Sequence, residues 1–305
     1  MTISVSSHPA FVDFSEVIPL SGFSGATVAL LRHGSSAAFV RKAANTVAGN
    51  PGIVSQTARQ IWLKSAVDGA AIVPAVLGRG EAEGLNFYDM EFMPARDAVN
   101  YLTTATFDQV AEFSDRIATL MGRLSETKSG FQARPPSRQL FEGKLAEIAT
   151  RTGNTYEREM APLVEASSLI SGLLDSETAT ATHGDLTFEN ILVDRRGALC
   201  LIDPIESPFD HYWFDWSKLF QECEGHWHRH RGRRVSASVT WWLRERWVKV
   251  ASLQSPLYPT VHYLFLALTF ARILPYTRDA ADRAFVAQRV ERFGRAAVDT
   301  IRSSG

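Results

Sequence analysis

The stretch Thr182-His183-Gly184-Asp185-Leu186-Thr187-Phe188-Glu189-Asn190 sets a carboxylate five residues ahead of a carboxamide, and Asp203 follows thirteen residues later, at the end of LCLID. The apolar residues after Asn190 and before Asp203 predict two short strands, around 190–194 and 198–202, joined at Arg195-Arg196-Gly197. Such a hairpin would hold Asn190 and Asp203 on one rigid element. A carboxylate beside a hydroxyl can orient it and take its proton, which suits Asp185. Amide and carboxylate oxygens are hard ligands of the kind Mg²⁺ prefers, which suits Asn190 and Asp203. Either the Asp or the Asn alone reads as a turn residue. The ordered set of acid, amide, hairpin and second acid is far less readily met by chance.

This spacing resembles the catalytic loop and metal-binding aspartate of the protein-kinase-like fold. Gly184 stands where protein kinases carry an arginine, and Asp203-Pro204-Ile205 where they carry Asp-Phe-Gly. HGDLTFENILVD followed by LIDPIE is similar to the motif of aminoglycoside phosphotransferases, choline kinases and their relatives, the small-molecule branch of that fold. The likeness is specific over about 182–219, and the lobe order agrees over most of the chain. It implies ATP- and Mg²⁺-dependent transfer of a phosphoryl group to a hydroxyl of a small polar acceptor such as a sugar, amino sugar or amino alcohol. In that reading Asp185 is the base, Asn190 and Asp203 are the metal ligands, and His183 braces the loop. Asp215, in YWFDWSKLF, reads either as a plain helix cap or as an acceptor for backbone N–H groups of the loop.

The same resemblance asks the N-terminal part for a phosphate cradle, a lysine and a hinge. Gly22 and Gly25, in LSGFSGATV, would let backbone N–H groups approach phosphates, although a hairpin turn would look the same. Lys42 ends the strand FVRKA and matches the phosphate-binding lysine, with Arg41 on the opposite face by strand alternation; a bulge would exchange the two. The family pairs this lysine with a glutamate on the next helix, but VSQTARQIWL has none, and Gln60, with Gln56 as the lesser candidate, takes the place. Glu91 and Met93, in YDMEFMPA, mark the expected adenine hinge, with Met90 or Met93 against the base; core methionines at a strand end are the competing reading.

The elements that must position these groups follow from pattern. Short apolar runs at 16–20, 26–32 and 37–43, separated by Gly and Ser, predict an antiparallel meander. Pro51-Gly52 opens a helix over 52–67, and strands at 71–77 and 85–93 follow, joined by the Gly-rich 78–84. After Pro94 the pattern turns helical, clearest at 107–126, with further helices at 140–150, 156–174 and from 211 to the end. The expected architecture is α+β and bilobal: a β-rich nucleotide-binding lobe with one helix over 1–94, and a mainly helical catalytic and acceptor-binding lobe over 95–305.

With 305 residues, 45% hydrophobic and a net charge of -1, the chain carries no whole-molecule attraction for nucleic acid or membranes. The run VHYLFLALTFARIL is too short to span a bilayer and reads as a buried helix. Two unpatterned cysteines and no signal sequence predict a cytoplasmic protein. CEGHWHRHRGRR (223–234) tempts as a metal site through Cys223, His226, His228 and His230, but its spacing is poor, and a solvated basic segment or an anion site reads better. The aromatics from Phe209 to Trp227 read as core rather than a cation cage. Three alternatives to the small-molecule kinase remain: a nucleotide-binding regulator without transfer, opposed by the intact set Asp185, Asn190 and Asp203 and only mildly supported by the missing glutamate; a protein kinase, disfavoured by Gly184 and Pro204; and a metal-binding module on 223–230.

Overall fold

In the computed structural model, which describes residues 7–12, 14–20, 25–32, 34, 37–131, 134–170 and 172–304, the chain divides into two compact units. One comprises 1–96 together with 192–206; the other comprises 97–191 and 207–305.

The first unit is built on strands β1 (Glu16–Leu20), β2 (Ala26–Arg32), β3 (Phe39–Ala44), β4 (Val76–Ala82) and β5 (Leu85–Glu91), with helix α1 (Asn50–Ala66) between β3 and β4. The five strands form an antiparallel sheet in the order β1-β2-β3-β5-β4. β3 pairs without a break on both sides, Val28 facing Lys42 and Lys42 facing Tyr88. Strand alternation therefore holds. Ala43 packs into a core with Phe11, Ala29 and Leu31 on one face, while Val40 and Ala44 pack with Ile53 of α1, Tyr88 and Met90 on the other.

The Gly-rich stretch 78–84, expected as a connection, is mostly strand. β4 runs through Gly78 and Gly80 to Ala82, and the turn narrows to Glu83-Gly84, with φ of 49° and 79°. Two consecutive positive φ angles give a tight turn whose twist matches the strands it joins. Gly80 is required by packing, because a Cβ there would sit 2.8 Å from the Phe87 ring. Strands β7 (Ile191–Val193) and β8 (Leu199–Leu201) flank the turn whose Asp194 carboxylate accepts the Arg196 and Ala198 N–H groups, each at 2.8 Å. Ile72 binds β8 on both its polar groups, through Leu199 O and Leu201 N. A two-residue strand, β6 (Arg96–Asp97), precedes the helices.

The second unit holds α2 (Ala98–Thr104), α3 (Phe107–Glu126), α4 (Arg138–Thr152), α5 (Glu157–Leu169), α6 (Tyr212–Cys223), α7 (Trp227–His230), α8 (Ala237–Gln254), α9 (Tyr258–Ala271) and α10 (Ala280–Ser304). Thr106 and Gln109 close a reciprocal cap at the start of α3. Ser137 caps α4, and Gly153 stops it in the left-handed region that lacks a penalty only for glycine. α5 ends at Leu169 rather than 174, ahead of the turn that contains Gly172 at φ 82°. Residues 261–271 of the apolar run 261–274 lie in the buried helix α9, wrapped by α10, α5 and α6, and the last three follow its end. Trp213, Trp216, Phe209, Phe214 and Phe220 are fully buried, so these aromatics are core. Among the described residues no helix is long and apolar enough to cross a membrane.

Candidate active site

Within the second unit, the loop 182–190 is fixed by Asp215 on the first turn of α6. One Asp215 oxygen accepts the His183 N–H at 2.7 Å and the Thr182 hydroxyl at 3.0 Å; the other accepts the Gly184 N–H at 2.9 Å. The N-cap of α6 is His211, whose ring accepts the Trp213 N–H, so Asp215 is the loop's anchor and not the helix cap. Burial pushes the Asp215 carboxyl up to about 7 even against these three donors. Gly184 adopts φ 85°, a backbone state that favours glycine. The position that distinguishes this loop by sequence is thus the one where the chain bends toward Asp215. His183 is fully buried, and its Nδ1 accepts the Asp185 N–H at 3.3 Å, the bracing role expected of it.

Asp185 and Asn190 are brought together. The Asn190 amide nitrogen donates to the Asp185 carbonyl at 2.8 Å and to its carboxylate Oδ2 at 2.9 Å. The other carboxylate oxygen lies 3.0 Å from Lys218 Nζ. Burial alone would raise the Asp185 pKa, but Lys218 first, then His183 and Arg272, hold the carboxyl below its ordinary value. Asp185 is therefore an ionised carboxylate with fixed orientation.

Within the first unit, Lys42 and Asp203 form an ion pair. The lysine is almost fully buried, and Gln56 Nε2 donates to the same Asp203 oxygen at 3.1 Å. Gln60 was the expected amide near Lys42, and here the sequence reading needs correction. Gln60 is buried one turn further along α1, donating to Pro74 O at 2.9 Å and meeting the Met90 sulfur at 3.4 Å and the Tyr88 hydroxyl at 3.3 Å. Gln60 is fully buried, where its amide and the Pro74 carbonyl have no water to turn to and so meet each other. Asp203 itself adopts φ 61°, a strained state that a carboxylate-bearing side chain tolerates better than most.

Arg41, on the opposite face from Lys42, forks onto Asp89 at 2.7 and 2.8 Å, donates to Ala10 O at 2.7 Å and lies 3.8 Å from the Phe87 ring centre. It is a structural clamp. The Glu91 N–H donates to Ala75 O at 3.0 Å, and its carboxylate accepts the Ala75 N–H at 2.7 Å. Met93 is half-buried, its carbonyl accepting the Ala95 N–H, while Met90 is in the core. Gly25 is exposed at φ 69°, with its carbonyl accepting from Asn45, and Gly22 lies outside the described residues.

Two residues escaped the sequence reading. Lys218 follows Asp215 by three positions in the mainly aromatic stretch 212–220, and a second charge in so apolar a run was the available signal. Arg272 closes α9, its guanidinium 4.8 Å from the Phe214 ring centre; nothing in its local sequence sets it apart. In the His/Arg-rich segment, His228 faces Glu222 and His230 faces Asp282. Among the described residues no group of three or more His, Cys, Asp or Glu is placed to hold a metal ion.

Several solved structures share this fold. A candidate fructosamine-3-kinase from Thermobifida fusca superposes with a TM-score of 0.63 at 15% identity, covering 97% of each chain. An amicoumacin kinase in complex with AMP-PNP, Ca²⁺ and Ami gives 0.58 at 13% identity over 91% of this chain and 87% of that one. Aminoglycoside 2'-phosphotransferase-IIIa in its GDP complex gives 0.58 at 14% identity over 95% and 96%. At these identities the likeness establishes the α+β, protein-kinase-like fold. No curated protein matches the chain by sequence. Residues 20–248, most of the chain, match the model of the phosphotransferase enzyme family, and the chain belongs to that family.

Proposed function

We propose that the protein transfers the γ-phosphoryl group of ATP to a hydroxyl of a small polar molecule, with Asp185 as the base. The observation that carries this reading is the fixed Asp185 carboxylate, held between the Asn190 amide and the Lys218 ammonium on a loop anchored by Asp215. In the reaction, the acceptor oxygen forms a bond to the γ-phosphorus as the bond to the β,γ-bridging oxygen breaks. ADP leaves with that electron pair, and the acceptor's proton passes to Asp185. An ionised carboxylate is in the correct state to orient the hydroxyl and receive the proton.

Lys42 would meet the nucleotide phosphates, with Gly22 and Gly25 in the phosphate-cradling turn and Glu91 and Met93 at the adenine edge. In this reading residues 1–94 bind nucleotide and 95–305 carry catalysis and acceptor recognition. Mg²⁺ fits the donor set. Asn190 spends its amide nitrogen on Asp185, which leaves a carbonyl oxygen to offer, and Asp203 supplies a carboxylate. Few protein oxygens suffice for Mg²⁺ because phosphates and water complete its shell. When bound, the ion would neutralise charge on the phosphates. The neighbours solved with AMP-PNP and Ca²⁺ and with GDP support use of a nucleotide and a divalent cation.

The test is calorimetric titration of the full chain with MgATP, followed by an ADP-release screen over sugars, sugar acids, amino alcohols, nucleosides and aminoglycosides. Nucleotide binding with acceptor-dependent ADP release supports the reading. Binding without release under every acceptor would favour a regulatory nucleotide-binding protein.

A further inference from the structure

Two cations flank the candidate base. Lys218, only 10% exposed, already matches Asp185 one for one. Arg272 adds a second cation to the same surroundings, seated over Phe214, four residues before Lys218 on α6. Among the described residues its buried Nη1 has no hydrogen-bond partner. The acidic groups that act on Arg272 are Asp185, Tyr276 and Glu147. Asp185 is paired with Lys218, and Glu147 is engaged by Lys144 at 2.7 Å and Arg151 at 3.6 Å.

A half-buried guanidinium with an unmet donor is costly, and folding tolerates it where a ligand completes it. Removing Arg272 from water lowers its pKa, in keeping with that cost. The rigid fork of a guanidinium suits the paired oxygens of a carboxylate or phosphate. A polycationic acceptor would bring its charge against both Lys218 and Arg272.

We propose that Arg272, with Lys218 beside it, receives an anionic group on the acceptor, so that the substrate class is a hydroxyl compound bearing a carboxylate or phosphate. The proposal rests on the phosphotransferase reading and narrows its acceptor. The γ-phosphate of the nucleotide is the other source of anionic oxygen, and the experiment separates the two.

Wild type, Arg272→Met and Arg272→Lys are titrated with inorganic phosphate, glycerol 3-phosphate and gluconate with AMP-PNP and Mg²⁺ saturating, and with AMP-PNP alone. Thermal melts check that each variant is folded, and Arg272→Lys retains charge should Arg272→Met fail to fold. Wild type should bind at least one of the three anions and bind glycerol and glucose far more weakly. Arg272→Met should weaken the anion by about 30-fold or more, as expected for loss of one partner of a desolvated charge pair. Arg272→Lys should recover part of it, and AMP-PNP affinity should not change. Absence of anion binding in the wild type, equal binding of the neutral compounds, or a loss confined to AMP-PNP would overturn the proposal. Failure of AMP-PNP to bind the wild type would instead strike at the phosphotransferase reading itself.

Discussion

Lys218 Nζ stands 3.0 Å from Asp185 Oδ1, so the candidate base is paired with a cation three residues along α6 from the aspartate that anchors its loop. One helix thus controls both the geometry of the loop, through Asp215, and the charge of its acid, through Lys218. Replacing the ammonium should separate the two effects. In Lys218→Met the Asp185 carboxyl should titrate at higher pH, read from its side-chain ¹³C resonance, and kcat should fall by about tenfold or more. An unmoved titration would show that the ion pair has no hold on the acid.

Asp215 predicts a pH dependence of stability. Its folded pKa of about 7 lies above its unfolded value, which is near 3.9. Between those values the folded chain keeps a proton that the unfolded chain has released. The group's contribution is therefore full below about pH 4 and declines as pH rises toward 7. Asp215→Asn should abolish this slope. It should also cost about 1–3 kcal/mol, because one amide cannot accept from both the His183 and Gly184 N–H groups. Urea melts across that range measure both.

His211 slopes the opposite way. Burial holds its pKa below the ordinary histidine value, although Glu177 pulls it up. Below about pH 6.5 the unfolded chain takes a proton that the folded chain refuses, so this contribution is present above that pH and lost as pH falls. In His211→Gln the loss of stability on acidification through that window should be smaller than in wild type, by the same melts.

Gln60 should matter more for stability and Gln56 more for the site. Gln60→Leu leaves the Pro74 carbonyl and the Tyr88 hydroxyl without their buried partner, at a cost of about 1–3 kcal/mol in thermal or urea unfolding. Gln56→Ala removes only a half-exposed contact to Asp203 and should leave the melting curve near wild type. Equal destabilisation by both would contradict this division.

What was legible in the sequence was local. Strand alternation alone separated Lys42 from Arg41, because β3 has no bulge. The spacing from Asp185 to Asn190 implied one short loop, and the two side chains do meet. The placement of Gln56 and Gln60 was not legible, since both lie on α1 and which meets Asp203 depends on how the helix seats on the sheet. Lys218 and Arg272 were missed for a similar reason. Each lies far along the chain from Asp185, and only packing of α6 and α9 sets their charge about it. The strand through Gly78 and Gly80 was hidden because glycine usually marks a turn, whereas here one glycine makes room for Phe87.

The central claim is that Asp185 acts on the acceptor hydroxyl and not on nucleotide binding. Asp185→Asn keeps size and hydrogen-bonding reach while removing the base, so one comparison decides it: MgATP affinity and acceptor-dependent ADP release, measured on the same preparation of wild type and variant. The account predicts MgATP affinity within about threefold of wild type and kcat reduced by a factor of about 100 or more. Release of ADP at the wild-type rate by Asp185→Asn would contradict it.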